Sequence, residues 1–194
     1  MKLVLASNNP GKLREMRALL APLGHEVIAQ AELGIEEAEE PHDTFLENAL
    51  AKARHASRAS GLPALADDSG LCVDALGGAP GVHSAYFAGR EGDRATRDAR
   101  NNAKLLARLG EERKAHYRCV MAFVRCADDP EPLVAEGRWD GEISRAMRGA
   151  NGFGYDPLFI VPGRGATAAE LSEEEKNRLS HRARAAARLV ELLR

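Results

Sequence analysis

The sequence predicts an α/β fold built on a mixed sheet, and three observations carry that prediction. Short apolar runs alternate with helix-spaced stretches through the first half of the chain, two longer strand-like runs flank a turn in the second half, and no internal repeat or low-complexity linker divides the 194 residues. Strands separated by helices favour parallel pairing, whereas a strand–turn–strand unit is antiparallel, so the two halves together make the sheet mixed. The length suits one domain, residues 1–194, with enough chain to bury a sizeable core.

Lys2 to Ala6 is an apolar strand that runs into Ser7-Asn8-Asn9-Pro10-Gly11, after which Leu13, Met16, Leu19, Leu20 and Leu23 recur at helical spacing. His25 to Gln30 reads as a second strand, followed by an acidic loop from Glu36 to Pro41. Thr44 with Glu47 forms a capping box, which starts a helix at Phe45, and Gly61 followed by Pro63 stops it. Ala64 to Asp67 is a short strand ending in an Asp67-Asp68-Ser69-Gly70 turn, and Leu71 to Leu76 is another strand. A glycine-rich loop spans Gly77 to Gly89, and a helix runs from Thr96 to Leu109. His116 to Ala127 and Pro132 to Trp139 flank Asp128-Asp129-Pro130-Glu131 as a hairpin. Gly149 to Gly165 is loop. Ser172 and Glu175 form a second capping box, and the chain beyond is helical.

A hydrophobic fraction of 44% with 29% charged residues excludes a disordered tail, a collagen-like fibre and a disulfide scaffold. With 27 Lys and Arg against 29 Asp and Glu the net charge is −2, which argues against tracking long nucleic acid by phosphate neutralisation; a small nucleotide is the compatible ligand. No run is long enough to span a membrane, and Met1-Lys2 leads straight into a strand, so a cytoplasmic protein without membrane partners is expected. Cys72, Cys119 and Cys126 have no paired spacing and lie in apolar, strand-like stretches, where buried, reduced thiols are expected.

Four polar clusters interrupt this patterning. Ser7-Asn8-Asn9-Pro10-Gly11-Lys12 sits at a strand end and helix start, where free amides, the helix dipole and a lysine favour phosphate; a plain turn is the alternative. Asp67 and Asp68 are successive, so in an extended chain they face opposite ways, one towards a cleft and the other towards structural partners. Together with the acidic loop they offer a hard-cation site, since Mg²⁺ takes one or two carboxylates plus substrate phosphate; a solvated surface turn and loop is the alternative. Gly152-Phe153-Gly154-Tyr155-Asp156-Pro157 sets aromatics among glycines, a pattern suited to stacking a flat base with Asp156 as acceptor, or to a buried turn. Lys176 and Arg182 differ by about 240° of rotation on a continuous helix, so a break near Ser180 is needed for both to reach one ligand.

In this order, Ser7-x-Asn9-x-x-Lys12, Asp67-Asp68-Ser69-Gly70-Leu71, Ala75 to Gly81, Phe153-Gly154-Tyr155-Asp156-Pro157 and Ser180-His181-Arg182 resemble the inosine triphosphate pyrophosphatase family, as do Phe45-x-Glu47-Asn48-Ala49 and Glu174-Glu175-Lys176. The resemblance implies Mg²⁺-dependent hydrolysis of ITP, dITP and XTP to the monophosphate and pyrophosphate, which cleanses the nucleotide pool. It also implies an elongated mixed α/β fold with two lobes about a central cleft, and a homodimer. By the same resemblance Ser7, Asn8, Asn9, Pro10, Gly11 and Lys12 hold the phosphates with Lys176 and Lys52. Asp68 is the general base or metal-orienting carboxylate, with Ser69 beside it. Phe153, Gly154, Tyr155 and Asp156 hold base and sugar with His181 and Arg182. The metal-binding glutamate lies among Glu36, Glu37, Glu39 and Glu40, and Glu39 is chosen as the partner of Asp68. Asn8 stands where many relatives have glycine, a position an asparagine can fill even with left-handed backbone angles. A Maf-like nucleotide pyrophosphatase, which shares the Leu5-Ala6-Ser7 start, and a non-catalytic nucleotide-binding regulator are the alternative readings.

Overall fold

Eleven regular elements follow one another along the structure, a computed structural model that describes residues 1–194. They are β1 (Lys2–Leu5), α1 (Pro10–Leu20), β2 (Glu26–Ala29), α2 (Phe45–Ser60), β3 (Ala64–Val73), α3 (Arg94–Arg108), β4 (Lys114–Val124), β5 (Leu133–Ile143), β6 (Phe159–Ile160), α4 (Glu173–Leu179) and α5 (His181–Leu192). Six strands form one sheet in the order β2-β1-β3-β4-β5-β6. β1 runs parallel to both β2 and β3, while β6 is antiparallel to β5, so the sheet is mixed as the patterning requires.

The chain divides into two compact units. The first comprises Met1–Asp68, Cys119–Gly137 and Arg184–Arg194, and the second Ser69–Arg118 and Arg138–Ala183. In the first unit β1 is buried on both faces, which is why it reads as an unbroken apolar run. Leu3 and Leu5 pack with Met16 and Leu20 of α1 and with Ala185, Ala186 and Leu189 of α5. Val4 and Ala6, pointing the other way, pack with Ala49, Ala53 and Ala56 of α2. The alanine face of α2 lets its backbone approach the sheet. In the second unit Leu71, Val73, Tyr117, Trp139, Ile143, Tyr155, Leu158 and Phe159 form a separate core.

Three local expectations are corrected. Asp67 to Gly70 is no turn: β3 is a single strand of ten residues through Asp-Asp-Ser-Gly. β1 pairs with β3 only at Ala64 and Leu65, so the ladder that outweighs the turn preference of Asp67 to Gly70 is the one with β4. Cys126 is exposed, because β4 ends at Val124 and leaves it in the connection to β5; Cys119 is buried and Cys72 half-buried. Helix α3 starts at Arg94 rather than Thr96, because Asp93 accepts from the Thr96 amide as N-cap. Helix α2 has the expected limits, with Thr44 accepting from the Glu47 amide and Gly61 left-handed at φ 69°. No helix is long and apolar enough to cross a membrane.

Candidate functional site

The first unit gathers the acidic and lysine residues. Because β1 and β3 are parallel and in register at Leu5 and Leu65, the chain leaving β1 enters the Ser7–Lys12 loop alongside Asp67. The two successive aspartates take partners from different helices, as alternation along a strand demands. Lys12 of α1 donates to Asp67 Oδ1 at 2.7 Å, and Lys52 of α2 donates to Asp68 Oδ1 at 3.2 Å. Asn48, one turn before Lys52, donates to Asp68 Oδ2 at 3.4 Å. The Lys52 ammonium also holds Glu40 Oε1 at 2.6 Å.

Glu40 is thus the acidic-loop residue that reaches the Asp68 neighbourhood. Glu39, chosen from the sequence, is exposed and takes part in no ion pair, and Glu36 meets the helix only through its carbonyl, against His55. Which of the four glutamates meets Lys52 depends on loop conformation, which composition does not encode.

Burial is the leading influence on Asp68 and raises its pKa; the Lys52 charge opposes this and Glu40 reinforces it, and the net shift is upward. For Lys52 burial works against the charge, but Asp68, Asp67 and Glu40 outweigh it, so the ammonium is held above the ordinary lysine value. Three carboxylates against two ammonium groups leave one surplus negative charge. Asp68 Oδ1 and Glu40 Oε1 converge on the Lys52 ammonium, and the surplus is of the sign that a hard divalent cation would complement. No three His, Cys, Asp or Glu side chains close around a point, so the protein does not supply a complete metal cage.

The Ser7–Lys12 loop differs in one respect from the bare anion cradle expected. Asn9 Oδ1 accepts from the amides of Gly11 and Lys12 at 2.9 and 3.3 Å, and Pro10 at the first helical position has no amide. Asn9 itself donates to Ser7 Oγ at 3.2 Å. The helix start is capped from within, so the Ser7 hydroxyl and Lys12 ammonium are the groups it offers an anion. Asn8 is not left-handed, since only glycines have positive φ; its side chain instead accepts from Gln30 at 3.3 Å.

The second unit gathers the aromatic and basic residues. Phe153 is 41% exposed, flanked by Gly152 and Gly154 at φ 75° and 63°. Three cations lie near its ring: Arg94 at 4.3 Å, Lys176 at 4.8 Å and Arg182 at 5.8 Å from the centroid. The helix break at Ser180, extended at ψ 159°, separates α4 from α5 and brings Lys176 and Arg182 to this one ring. Arg182 also donates to Ser69 Oγ at 3.3 Å.

Asp156 is a buried keystone whose oxygens are engaged. Its Oδ2 accepts from the Phe153 amide at 2.8 Å and from Lys176, and its Oδ1 accepts from the Tyr117 hydroxyl at 3.3 Å. Tyr155 belongs to the core and donates its hydroxyl to the Ser84 carbonyl at 2.8 Å; burial holds its pKa above the usual phenol value. Phe153 is therefore the one aromatic of its segment that faces solvent. His181, buried at the start of α5, stacks on Tyr117 with centroids 4.6 Å apart and planes 10° apart. The sequence patterns give Asn48 no role beyond its place in the Phe45-x-Glu47-Asn48-Ala49 motif, and they do not single out Tyr117 or the α3 residues Asp98 and Asn102. The signal for the last was a pair of asparagines, Asn101 and Asn102, inside the apolar stripe of α3, which are buried.

Comparison with known proteins gives a consistent result. The Ham1 family model matches residues 3–192. The dITP/XTP pyrophosphatase of Ralstonia nicotianae is 64% identical over 195 residues, covering 100% of this chain and 96% of that protein. That of Burkholderia pseudomallei is 65% identical over 191 residues, covering 97% and 91%. Among solved structures, a HAM1 protein from Coxiella burnetii has a TM-score of 0.92 at 48% identity, covering 100% of this chain and 98% of its own. These matches run through both units and every polar cluster described above, and they show that the chain belongs to the Ham1 family.

Proposed function

We infer that the protein is an enzyme that hydrolyses non-standard purine nucleoside triphosphates, ITP, dITP and XTP, at the α–β phosphoanhydride bond, releasing the monophosphate and pyrophosphate. The observation that carries the chemistry is the convergence of Asp68 and Glu40 on Lys52 beside the Lys12–Asp67 pair. The names of the relatives, dITP/XTP pyrophosphatases at 64% and 65% identity, support the substrate class. Membership in the Ham1 family favours this reading over a Maf-like enzyme, and the presence of Asp68, Lys12, Lys52 and Lys176 favours catalysis over a binding-only regulator.

In this proposal Ser7 and Lys12 bind phosphate oxygens, with Lys52 and Lys176 adding positive charge. Asp68 orients the attacking water and takes up its proton. Its raised pKa makes the ionised carboxylate a stronger proton acceptor than an ordinary aspartate. Lysine charge near the departing pyrophosphate stabilises the transition state more than the ground state. Asp68 with a glutamate of the acidic loop, Glu39 or Glu40, would hold Mg²⁺, which would supply Lewis-acid neutralisation of the phosphates. Phe153 stacks the base, Arg182 and His181 sit beside it, and Ser69, hydrogen-bonded to Arg182, belongs with them. No covalent intermediate is needed.

The homodimer and a cytoplasmic location belong to the same proposal. The family resemblance supports the first. Three free cysteines and the lack of a membrane-length apolar helix accord with the second. Phosphorus NMR of products from dITP tests the reaction. Pyrophosphate with dIMP is expected, whereas dIDP with orthophosphate would overturn the proposed bond cleavage.

A further inference from the structure

Gly154 lies between the exposed Phe153 and the buried Tyr155, and both polar groups of its backbone are held by one helix. Asp98 Oδ2 of α3 accepts from the Gly154 amide at 2.8 Å. Asn102, one turn further on, donates from Nδ2 to the Gly154 carbonyl at 2.8 Å and to the Asp98 carbonyl at 2.9 Å. The same Asp98 carboxylate lies 4.0 Å from Arg94, whose guanidinium covers the Phe153 ring at 4.3 Å. All of these residues belong to the second unit.

This arrangement costs something that packing alone does not require. Asn102 is 3% exposed, so a polar side chain occupies a site in the buried face of α3 where a leucine would give more apolar burial. Its yield is a fixed peptide. Gly154 at φ 63° has no Cβ and nothing within 4 Å of where one would be, so side-chain packing does not hold it. A glycine held only by its flanks would leave the Phe153 ring free to swing.

We propose that Asp98 and Asn102 are positioning residues for base recognition: by clamping the Gly154 peptide they fix the stacking face of Phe153, and through Arg94 Asp98 also fixes the cation beside it. This rests on the pyrophosphatase reading and deepens it, because the clamp acts on the base, while Ser7, Lys12 and Lys52 lie in the first unit and Lys176 is held independently by Asp156. A hydrogen bond to a carboxylate is worth about 1.5–3 kcal/mol, or roughly ten- to a hundredfold in an equilibrium constant.

The test compares Asp98→Ala, Asp98→Asn and Asn102→Ala with the wild type, using dITP as substrate and inorganic tripolyphosphate as a competitive probe that has no base. In Asp98→Ala the KM for dITP should rise about tenfold or more while kcat changes less than threefold, and the Ki of tripolyphosphate should stay within twofold. Asp98→Asn keeps an oxygen that can accept from the Gly154 amide, so most of the wild-type KM should return. Asn102→Ala, which removes the clamp from the carbonyl side, should raise KM in the same selective way and serves as the second reading if Asp98→Ala is poorly folded. An unchanged KM in folded Asp98→Ala, or equal weakening of dITP and tripolyphosphate, would overturn the clamp and leave the pyrophosphatase reading standing. Absence of dITP turnover in the wild type would overturn both.

Discussion

The Lys52 ammonium lies 3.2 Å from Asp68 Oδ1, and both side chains are largely shielded from solvent, at 12% and 10% exposure. A desolvated ion pair of this kind is worth little as a source of stability, because the cost of removing two charges from water cancels most of their attraction. Its consequence is positional. Lys52 holds Asp68 and Glu40 together where two carboxylates alone would repel, and it rises from a helix whose start and stop are both capped.

Replacing Lys52 with methionine leaves that carboxylate pair without its counter-charge. The expected result is a loss of about 3–5 kcal/mol in stability, since one partner of a buried pair is removed, together with a further rise in the Asp68 pKa. Urea unfolding measures the first and the acid limb of the kcat profile measures the second. A variant as stable as the wild type would show that the pair is hydrated in solution.

Asp68→Asn should abolish most turnover, by about 10²-fold or more, while the protein stays folded. Asp67→Asn should be milder, because Asp67 is paired with Lys12 and faces the other way along β3. Equal losses in the two variants, with folding intact, would contradict the division of roles.

The pH dependence of stability has a definite sign. The Asp68 carboxyl is raised, chiefly by burial, so the folded state binds its proton more tightly than the unfolded chain does. The stability it contributes is full below the ordinary aspartate value of about 3.9 and is lost as the pH rises through the folded value. Asp68→Asn removes that titration. Its Tm relative to the wild type should climb as the pH is raised from about 4 towards neutrality. A relative Tm that falls over the same range would contradict the assignment.

Much of the frame was legible in the residues, and the reason is physical. Where a local rule had no tertiary competitor it succeeded: Thr44 and Gly61 bound α2, and the rotation between Lys176 and Arg182 demanded the break that occurs at Ser180. Where backbone pairing competed with composition, pairing won, and Asp67 to Gly70 became the middle of β3. The candidate site was legible as residue types in order, but not as partners. Which glutamate meets Asp68, whether the amides after Ser7 are already capped by Asn9, and that Asp156 is fully engaged all depend on contacts distant in sequence or on exact loop geometry.

Tyr117 is a case of such distant contact, joining His181 by stacking and Asp156 by a hydrogen bond. Tyr117→Phe keeps the stack and loses the hydroxyl, so a KM increase of about threefold to tenfold for dITP is expected, in keeping with roughly 1 kcal/mol for one buried hydrogen bond. Tyr117→Ala loses both and should weaken dITP further. Steady-state kinetics distinguish them, and identical effects would show that the hydroxyl alone matters.

Selection of purines carrying a 6-oxo acceptor is read out by kcat/KM for ITP, dITP, XTP, GTP and ATP in the presence of Mg²⁺. A donor in the Arg182 and His181 region would meet the 6-oxo group of hypoxanthine or xanthine and oppose the 6-amino donor of adenine. Sites built on such hydrogen bonds discriminate by as much as about 10⁴ to 10⁵, whereas stacking on Phe153 alone would barely separate one purine from another. ITP, dITP and XTP should be hydrolysed far faster than ATP, with GTP also poor and all activity lost on chelation. Comparable values for ATP and ITP would contradict this selection.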